Sequence, residues 1–251
     1  MEPHLWQLPA LAAVGFVSGF LNILAGGGSL LTLPLLIFLG LPAAVANGTN
    51  RIGVLCQNLA AIGAFRRHGV LPMKLALLCT APALVGSWLG ALWAVEVDEQ
   101  LFRRLLAVIM IGVLAVILWD PARRLQGVER HFTPLRLTVL LVSFFVIGIY
   151  GGFVQAGVGF LILPALLVHG FDLVRGNAVK IFVVLLLTVP ALAVFIWHDQ
   201  IDWLLGAVLA TGNASGGWLA SRVAVKKGHA WIKRVVAVTV LVLALKLLVG
   251  V

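Results

Sequence analysis

The chain has 251 residues, 62% hydrophobic and only 11% charged, with 18 Lys and Arg against 9 Asp and Glu. A water-soluble domain is about a quarter charged, so this composition excludes a soluble globular enzyme. The basic excess is the mark of cytoplasmic loops in a membrane protein rather than of nucleic-acid binding.

Read in chain order, apolar segments fall at about 5–25, 30–39, 43–65, 71–94 and 101–119, then at about 135–155, 160–169, 173–197, 201–222 and 232–249. The long ones suffice to cross a hydrocarbon core of about 30 Å; those at 30–39 and 160–169 do not. The expected fold is an all-α integral membrane protein. The amino-terminal run "MEPHLWQLPALAAVGF" lacks a basic start and leads straight into further membrane sequence, so no cleavable signal peptide is expected. Cys56 and Cys79 lie in apolar runs with no metal or redox spacing and read as small core- or lipid-facing residues.

The halves match when the chain is slid along itself. Pro34 falls on Pro164, Gly40 on Gly170, Asn47 on Asn177, Phe65 and His68 on Phe195 and His198, and Gly86 and Trp88 on Gly216 and Trp218. Two repeats of about five helical segments follow: a first repeat at 1–120, a cytoplasmic linker at 121–136 and a second repeat at 137–251. With the linker in the cytoplasm, the same side collects Arg66, Arg67, Lys74, Arg136, Arg175, Lys180, Arg222 and the basic residues at 123–130 and 226–234. The opposite side collects Glu96, Asp98, Glu99, Asp199 and Asp202. That is the positive-inside pattern. Five segments per repeat is an odd number, so the second repeat enters upside down and both termini lie outside the cytoplasm. Inverted repeats with broken helices are a layout of secondary transporters.

"AGGGSLLTLP" (25–34) and "AGVGFLILP" (156–164) each run from glycines through apolar residues to a proline. A phosphate-binding loop would need a preceding strand and a Lys-Ser or Lys-Thr, and neither is there. In lipid, non-helical backbone survives only inside protein or against a wet cavity. Each stretch is therefore read as a helix break, after which a short helix starts at membrane depth and offers its free N–H groups to an anion. The candidate binding residues here are Gly26, Gly27, Gly28 and Ser29 in the first repeat, and Gln155, Gly157 and Gly159 in the second. The other reading of the glycines is close helix crossing.

Asn47, Thr49, Asn50, Asn177 and neighbouring Asn22 offer amides and a hydroxyl to oxyanion oxygens. Arg51 and Lys180 are candidates for matching the charge of an anion, the alternative being that both snorkel to headgroups. Mid-span Gln57, Asn58, Thr188 and Asn213 read mainly as helix-to-helix hydrogen bonds. His68 and His198 read as interfacial, and His169 as a weak candidate proton-sensitive group. The spans hold no central carboxylate, and no Ser/His/Asp, HExxH or CxxC arrangement appears, which argues against an enzyme. No cofactor and no metal are expected.

"AGGGSLLTLPLLIFLGLPAAVANGTN", "GIYGGFVQAGVGFLILPALLVHGFDLVRGNAVK" and "HDQIDWLLGAVLATGNASGGWLASRVAVKKG" resemble the repeat motifs of the TauE/SafE (DUF81-type) family of sulfite and organosulfur-anion exporters, over essentially the whole chain. The resemblance implies a bacterial cytoplasmic-membrane secondary transporter moving a small, sulfur-containing anion outward by alternating access. The rival functions are an anion channel and a membrane scaffold without cargo. The expected partners are the anion and the bilayer, with no nucleic acid. A coupling ion (proton or sodium) and homo-oligomerisation stay open. One departure is that the second break reads Gly157-Val158-Gly159 where the first has three adjacent glycines.

Overall fold

The computed structural model describes residues 7–67, 69–119 and 133–224, and all regular structure among them is helical. The helices are α1 (Gln7–Ala25), α2 (Ser29–Phe38), α3 (Ala43–Arg67), α4 (Met73–Glu96), α5 (Glu99–Trp119), α6 (Pro134–Phe153), α7 (Gly159–Val168), α8 (Leu173–Trp197) and α9 (Trp203–Ala224). Their bounds lie within a few residues of those expected from the sequence. The expected segment at 232–249, most of the linker, and His68 lie outside the described residues. Among the described helices, α1, α4, α5, α6 and α8 are long and apolar enough to cross a membrane, whereas α2 and α7 are apolar but only ten residues long.

The internal register is visible in backbone geometry. α2 and α7 begin at 29 and 159, α3 and α8 at 43 and 173, and α4 and α9 at 73 and 203. The left-handed backbone at Gly40 (φ 97°) recurs at Gly170 (φ 88°), and that at Gly69 (φ 66°) recurs at Asp199 (φ 54°). Pro34 and Pro164 sit inside the two short helices, one turn past their starts.

Packing is an exchange between the two sets of helices. α1 packs most extensively on α9, α4 on α6, and α3 on both α8 and α9. Glycines four residues apart make the two largest crossings: Gly15 and Gly19 with Gly212 and Gly216, and Gly86 and Gly90 with Gly148 and Gly152. A methyl group at most of these positions would run into the backbone of the opposing helix, Asn213 at Gly19 and Ser87 at Gly152 among them. Close approach of this kind lets dispersion hold helices together where the hydrophobic effect is absent. In both crossings residue numbers rise together, Ala12 meeting Gly212 and Phe16 meeting Gly216, Ala83 meeting Gly148 and Ser87 meeting Gly152. So α1 runs parallel to α9, and α4 parallel to α6.

α2 doubles back along α1. Gly28 lies against the Ser18 carbonyl and the Asn22 side chain; had the helix continued straight, Ser18 and Gly28 would lie about 15 Å apart. Thr32 on α2 then reaches Asn50 on α3. Each break is thus the tip of a hairpin, α1–α2 or α6–α7.

Candidate functional site

The two hairpin tips touch. A Cβ placed on Gly26 would sit 2.6 Å from the Gly159 Cα, so only glycine on both sides permits the contact. Gly26 (φ 90°) and Gly157 (φ 73°) adopt the left-handed conformation that glycine takes without strain, and Gln155 (φ 64°) adopts it as a non-glycine. A non-glycine in that region is uncommon and marks a constrained position.

Where a helix stops inside the membrane, its last carbonyls need donors. The fold supplies them crosswise. On α3, the fully buried Arg51 donates to the carbonyls of Gly151 (3.1 Å) and Gly152 (2.5 Å) at the end of α6, and more weakly to Asn47 Oδ1 (3.4 Å). Asn47 Nδ2 donates to the next carbonyl, Phe153, at 2.7 Å. The guanidinium lies 4.7 Å from the Phe195 ring centre on α8, in cation–π range. On α8, the buried Lys180 Nζ donates to the carbonyls of Asn22 (3.1 Å) and Ile23 (3.0 Å) near the end of α1. Each set's third helix therefore places a cation on the negative dipole end of the other set's first helix.

This changes how the two cations are read. Neither snorkels to a headgroup, and Lys180 does not sit on the cytoplasmic face where the loop-charge count put it. Each donates to two backbone carbonyls, so both cations serve as helix caps rather than as free charges. The ion pairs of the described residues, Arg103–Glu99 and Arg175–Asp172, lie elsewhere at exposed helix ends.

The remaining expected residues divide. Asn22 Oδ1 accepts from Gly28 N–H (3.3 Å), so a side chain already occupies one of the donors expected to face an anion. Gly27 and Ser29 are buried at the start of α2, and the Gly27 carbonyl accepts from Leu30 N–H. Thr49 is turned away from the tips, its hydroxyl accepting from Asp202 N–H at the α8–α9 turn. Asn50 Oδ1 accepts the Thr32 hydroxyl. Gln155 Nε2 donates to Thr188 Oγ1, and the Tyr150 hydroxyl donates to the Ala156 carbonyl, strapping the second tip. Gly157 packs against Val113 of α5.

Several buried polar atoms among the described residues have no partner: Asn50 Nδ2, Arg51 Nε, Gln155 Oε1 and Asn177 Oδ1 near the tips, and the side chains of Gln57 and Asn213 between α3 and α9. The bridging hydrogen bonds expected of Gln57 and Asn213 are not formed. Asn58 bonds its own helix at Val54, and Thr188 bonds Val184 as well as Gln155. His198 is exposed at the end of α8, as an interfacial residue would be.

Sequence reasoning missed three contributors. Glu99 Oε2 accepts from Ala43 N–H (2.6 Å) and fixes the start of α3. Nothing in the sequence singles out Tyr150, and Phe195 stands out only as the match of Phe65, though one straps a tip and the other lies beside the Arg51 guanidinium. For the crossing glycines a signal was present, in the four-residue spacing on α1, α4, α6 and α9.

A family model described as Sulfite exporter TauE/SafE matches residues 11–247. The chain is 29% identical over 244 residues to a probable membrane transporter protein, ORF9, from a Sinorhizobium species, covering 96% of this chain and 92% of that one. It is 29% identical over 232 residues to a probable membrane transporter protein from Haemophilus influenzae, covering 92% and 90%. It is 28% identical over 242 residues to the probable membrane transporter protein YfcA of Escherichia coli, covering 96% and 89%. No solved structure matches.

Proposed function

The chain belongs to the TauE/SafE family of membrane transporters, and we propose that it moves a small oxyanion, with sulfite or an organosulfonate as the leading class, across a bacterial cytoplasmic membrane by alternating access. The observation that carries this reading is the crosswise capping at the touching tips: Arg51 on the end of α6, Lys180 on the end of α1, with two short helices starting beside them. Helix starts and two buried cations, with no carboxylate paired to either among the described residues, give the region a positive potential, which suits an anion. Crosswise caps also suit a two-state machine, because each set holds a part of the other that must shift when the halves rock.

We place the two sets in inverted orientation. Because α2 returns along α1, α3 runs in the direction of α1, and α4 runs against it; α6 lies parallel to α4 and therefore opposes α1. The Arg66/Arg67 end of α3 faces the cytoplasm in this arrangement, both termini lie outside, and transport is outward. Binding falls to the short-helix starts around Gly26 to Ser29 and Gly157 to Gly159, with Asn47, Asn50, Arg51, Gln155, Asn177 and Lys180 around them.

The test is counterflow of radiolabelled sulfite in liposomes holding the purified protein. Saturable, counterflow-stimulated uptake that falls at least tenfold in Lys180→Gln supports the reading. A flux that rises linearly with concentration and shows no counterflow would make the protein a channel. Wild-type liposomes indistinguishable from empty ones for sulfite, sulfoacetate and thiosulfate would remove the cargo assignment.

A further inference from the structure

Resting on that reading, we infer that the site selects the singly protonated form of an oxyanion, or an oxyanion carrying its own hydroxyl, over a fully deprotonated dianion. The two unpartnered groups nearest the second tip have opposite character. Arg51 Nε is a cationic N–H donor, fully buried and unused, while the same guanidinium's other nitrogens hold the Gly151 and Gly152 carbonyls. Gln155, three residues beyond Gly152, keeps its amide oxygen buried and unused.

The orientation of that amide is set by the hydrogen-bond chain. The Thr188 hydroxyl donates to the Val184 carbonyl at 2.6 Å, so it can only accept from Gln155, which must turn its NH2 toward Thr188 and its oxygen away. A second pair repeats the polarity: Asn50 Nδ2 is an unused donor on α3, and Asn177 Oδ1 an unused acceptor on α8. In these two pairs the unused donors come from the first set of helices and the unused acceptors from the second, whereas Gln57 and Asn213, between α3 and α9, each leave both kinds unused.

A bare dianion would satisfy the donors and face the two amide oxygens with like partial charge. A cation would do the reverse. The occupant that satisfies both ends has an acceptor oxygen at one end and an O–H at the other. Sites built to hydrogen-bond a hydroxyl reject analogues lacking it strongly, because a buried partner is then left unpaired. Among the described residues, the charged or titratable groups beside the tips are Arg51 on α3, Tyr150 on α6 and Lys180 on α8; α1, α2 and α7 carry none. The proton on the cargo is distinguished from one on Lys180 by sulfate competition and by variants at Gln155 and Asn177, which leave Lys180 in place.

The experiment measures sulfite counterflow in proteoliposomes from pH 6 to pH 8.5, across which hydrogensulfite loses its proton, with sulfate as a competitor that stays a dianion throughout. At a fixed total concentration, the expected initial rate rises several-fold toward low pH in proportion to the hydrogensulfite fraction, and sulfate competes at least tenfold more weakly than sulfite. Gln155→Gly suits the local backbone and deletes the acceptor; with Asn177→Ala it should flatten the pH profile and narrow the sulfite-to-sulfate ratio. Asn177→Ala alone serves if the double variant does not fold. A wild-type rate that follows total sulfite at every pH, sulfate competing as well as sulfite, or variants with an unchanged pH profile would each overturn the inference, the last by making the gap between donor and acceptor a resident-water site only. Absence of saturable wild-type flux for any probe would instead remove the transport reading beneath it.

Discussion

The two hairpin ends do the same job with different chemistry. The end of α6 is held by a planar guanidinium across two carbonyls, an aromatic ring beside that group and an asparagine on the third carbonyl. The end of α1 is held by a single ammonium on two carbonyls. Guanidinium geometry is rigid and directional, whereas an ammonium on a flexible stem is a point charge that re-forms its bonds easily. The tips differ in the same sense. The first is glycine-rich and fastened by Asn22 alone, the second is strapped by Gln155 and Tyr150. The second hairpin is thus the more rigidly fastened of the two.

Substitutions can break this contrast at graded cost. Arg51→Leu strips donors from the Gly151 and Gly152 carbonyls, and each unsatisfied backbone group costs several kcal/mol in lipid. We expect a loss of at least about 3 kcal/mol, seen as a fall of roughly 10 °C in the unfolding temperature of the detergent-purified protein, with Arg51→Lys recovering part of it. Gly26→Ala comes next. It forces a non-glycine into φ 90° and sets its Cβ 2.6 Å from Gly159, at a cost of about 2–3 kcal/mol in the same assay.

Lys180→Met leaves the Ile23 carbonyl bare, while the Asn22 carbonyl keeps the Gly26 N–H, and it also removes a buried charge that has no carboxylate partner among the described residues, so the effects partly offset. Its stability loss should be about 1–2 kcal/mol, smaller than for Arg51→Leu, while sulfite counterflow falls at least tenfold. Equal stability losses at the two cations would erase the contrast between rigid and yielding caps. Smallest is Asp199→Gly, which places at Asp199 the residue type found at Gly69 and relieves a left-handed φ of 54°. It should change stability by no more than about 0.5 kcal/mol, in the favourable direction.

Much of the fold could be read before the structure, because the cues were local and repeated. Apolar run length bounded the long helices, and glycine followed by a ten-residue apolar run marked both short ones. The repeat register placed α3 against α8 to the residue. The site was less legible, because its logic is between helices. The sequence identified Arg51 and Lys180 as buried cations but could not reveal that each meets the other set's helix end, a contact between residues 100 or more positions apart. Thr49 looked like a site hydroxyl from its place beside Asn50, yet its partner is the Asp202 amide, which only the packing of the α8–α9 turn brings near. Gln57 and Asn213 read as partners for neighbouring helices and instead face glycine-lined backbone.

The central claim is that the hairpins enter from opposite membrane faces, and cysteine accessibility tests it most directly. Residues 42 and 172 are exposed, one full repeat register apart, just before α3 and α8. With Cys56 and Cys79 replaced by serine, Pro42→Cys and Asp172→Cys are each labelled in intact cells with a membrane-impermeant maleimide, before and after permeabilisation. The account predicts that Pro42→Cys reacts from outside in intact cells and that Asp172→Cys reacts only once the membrane is opened. Labelling of both positions from the same face would contradict it.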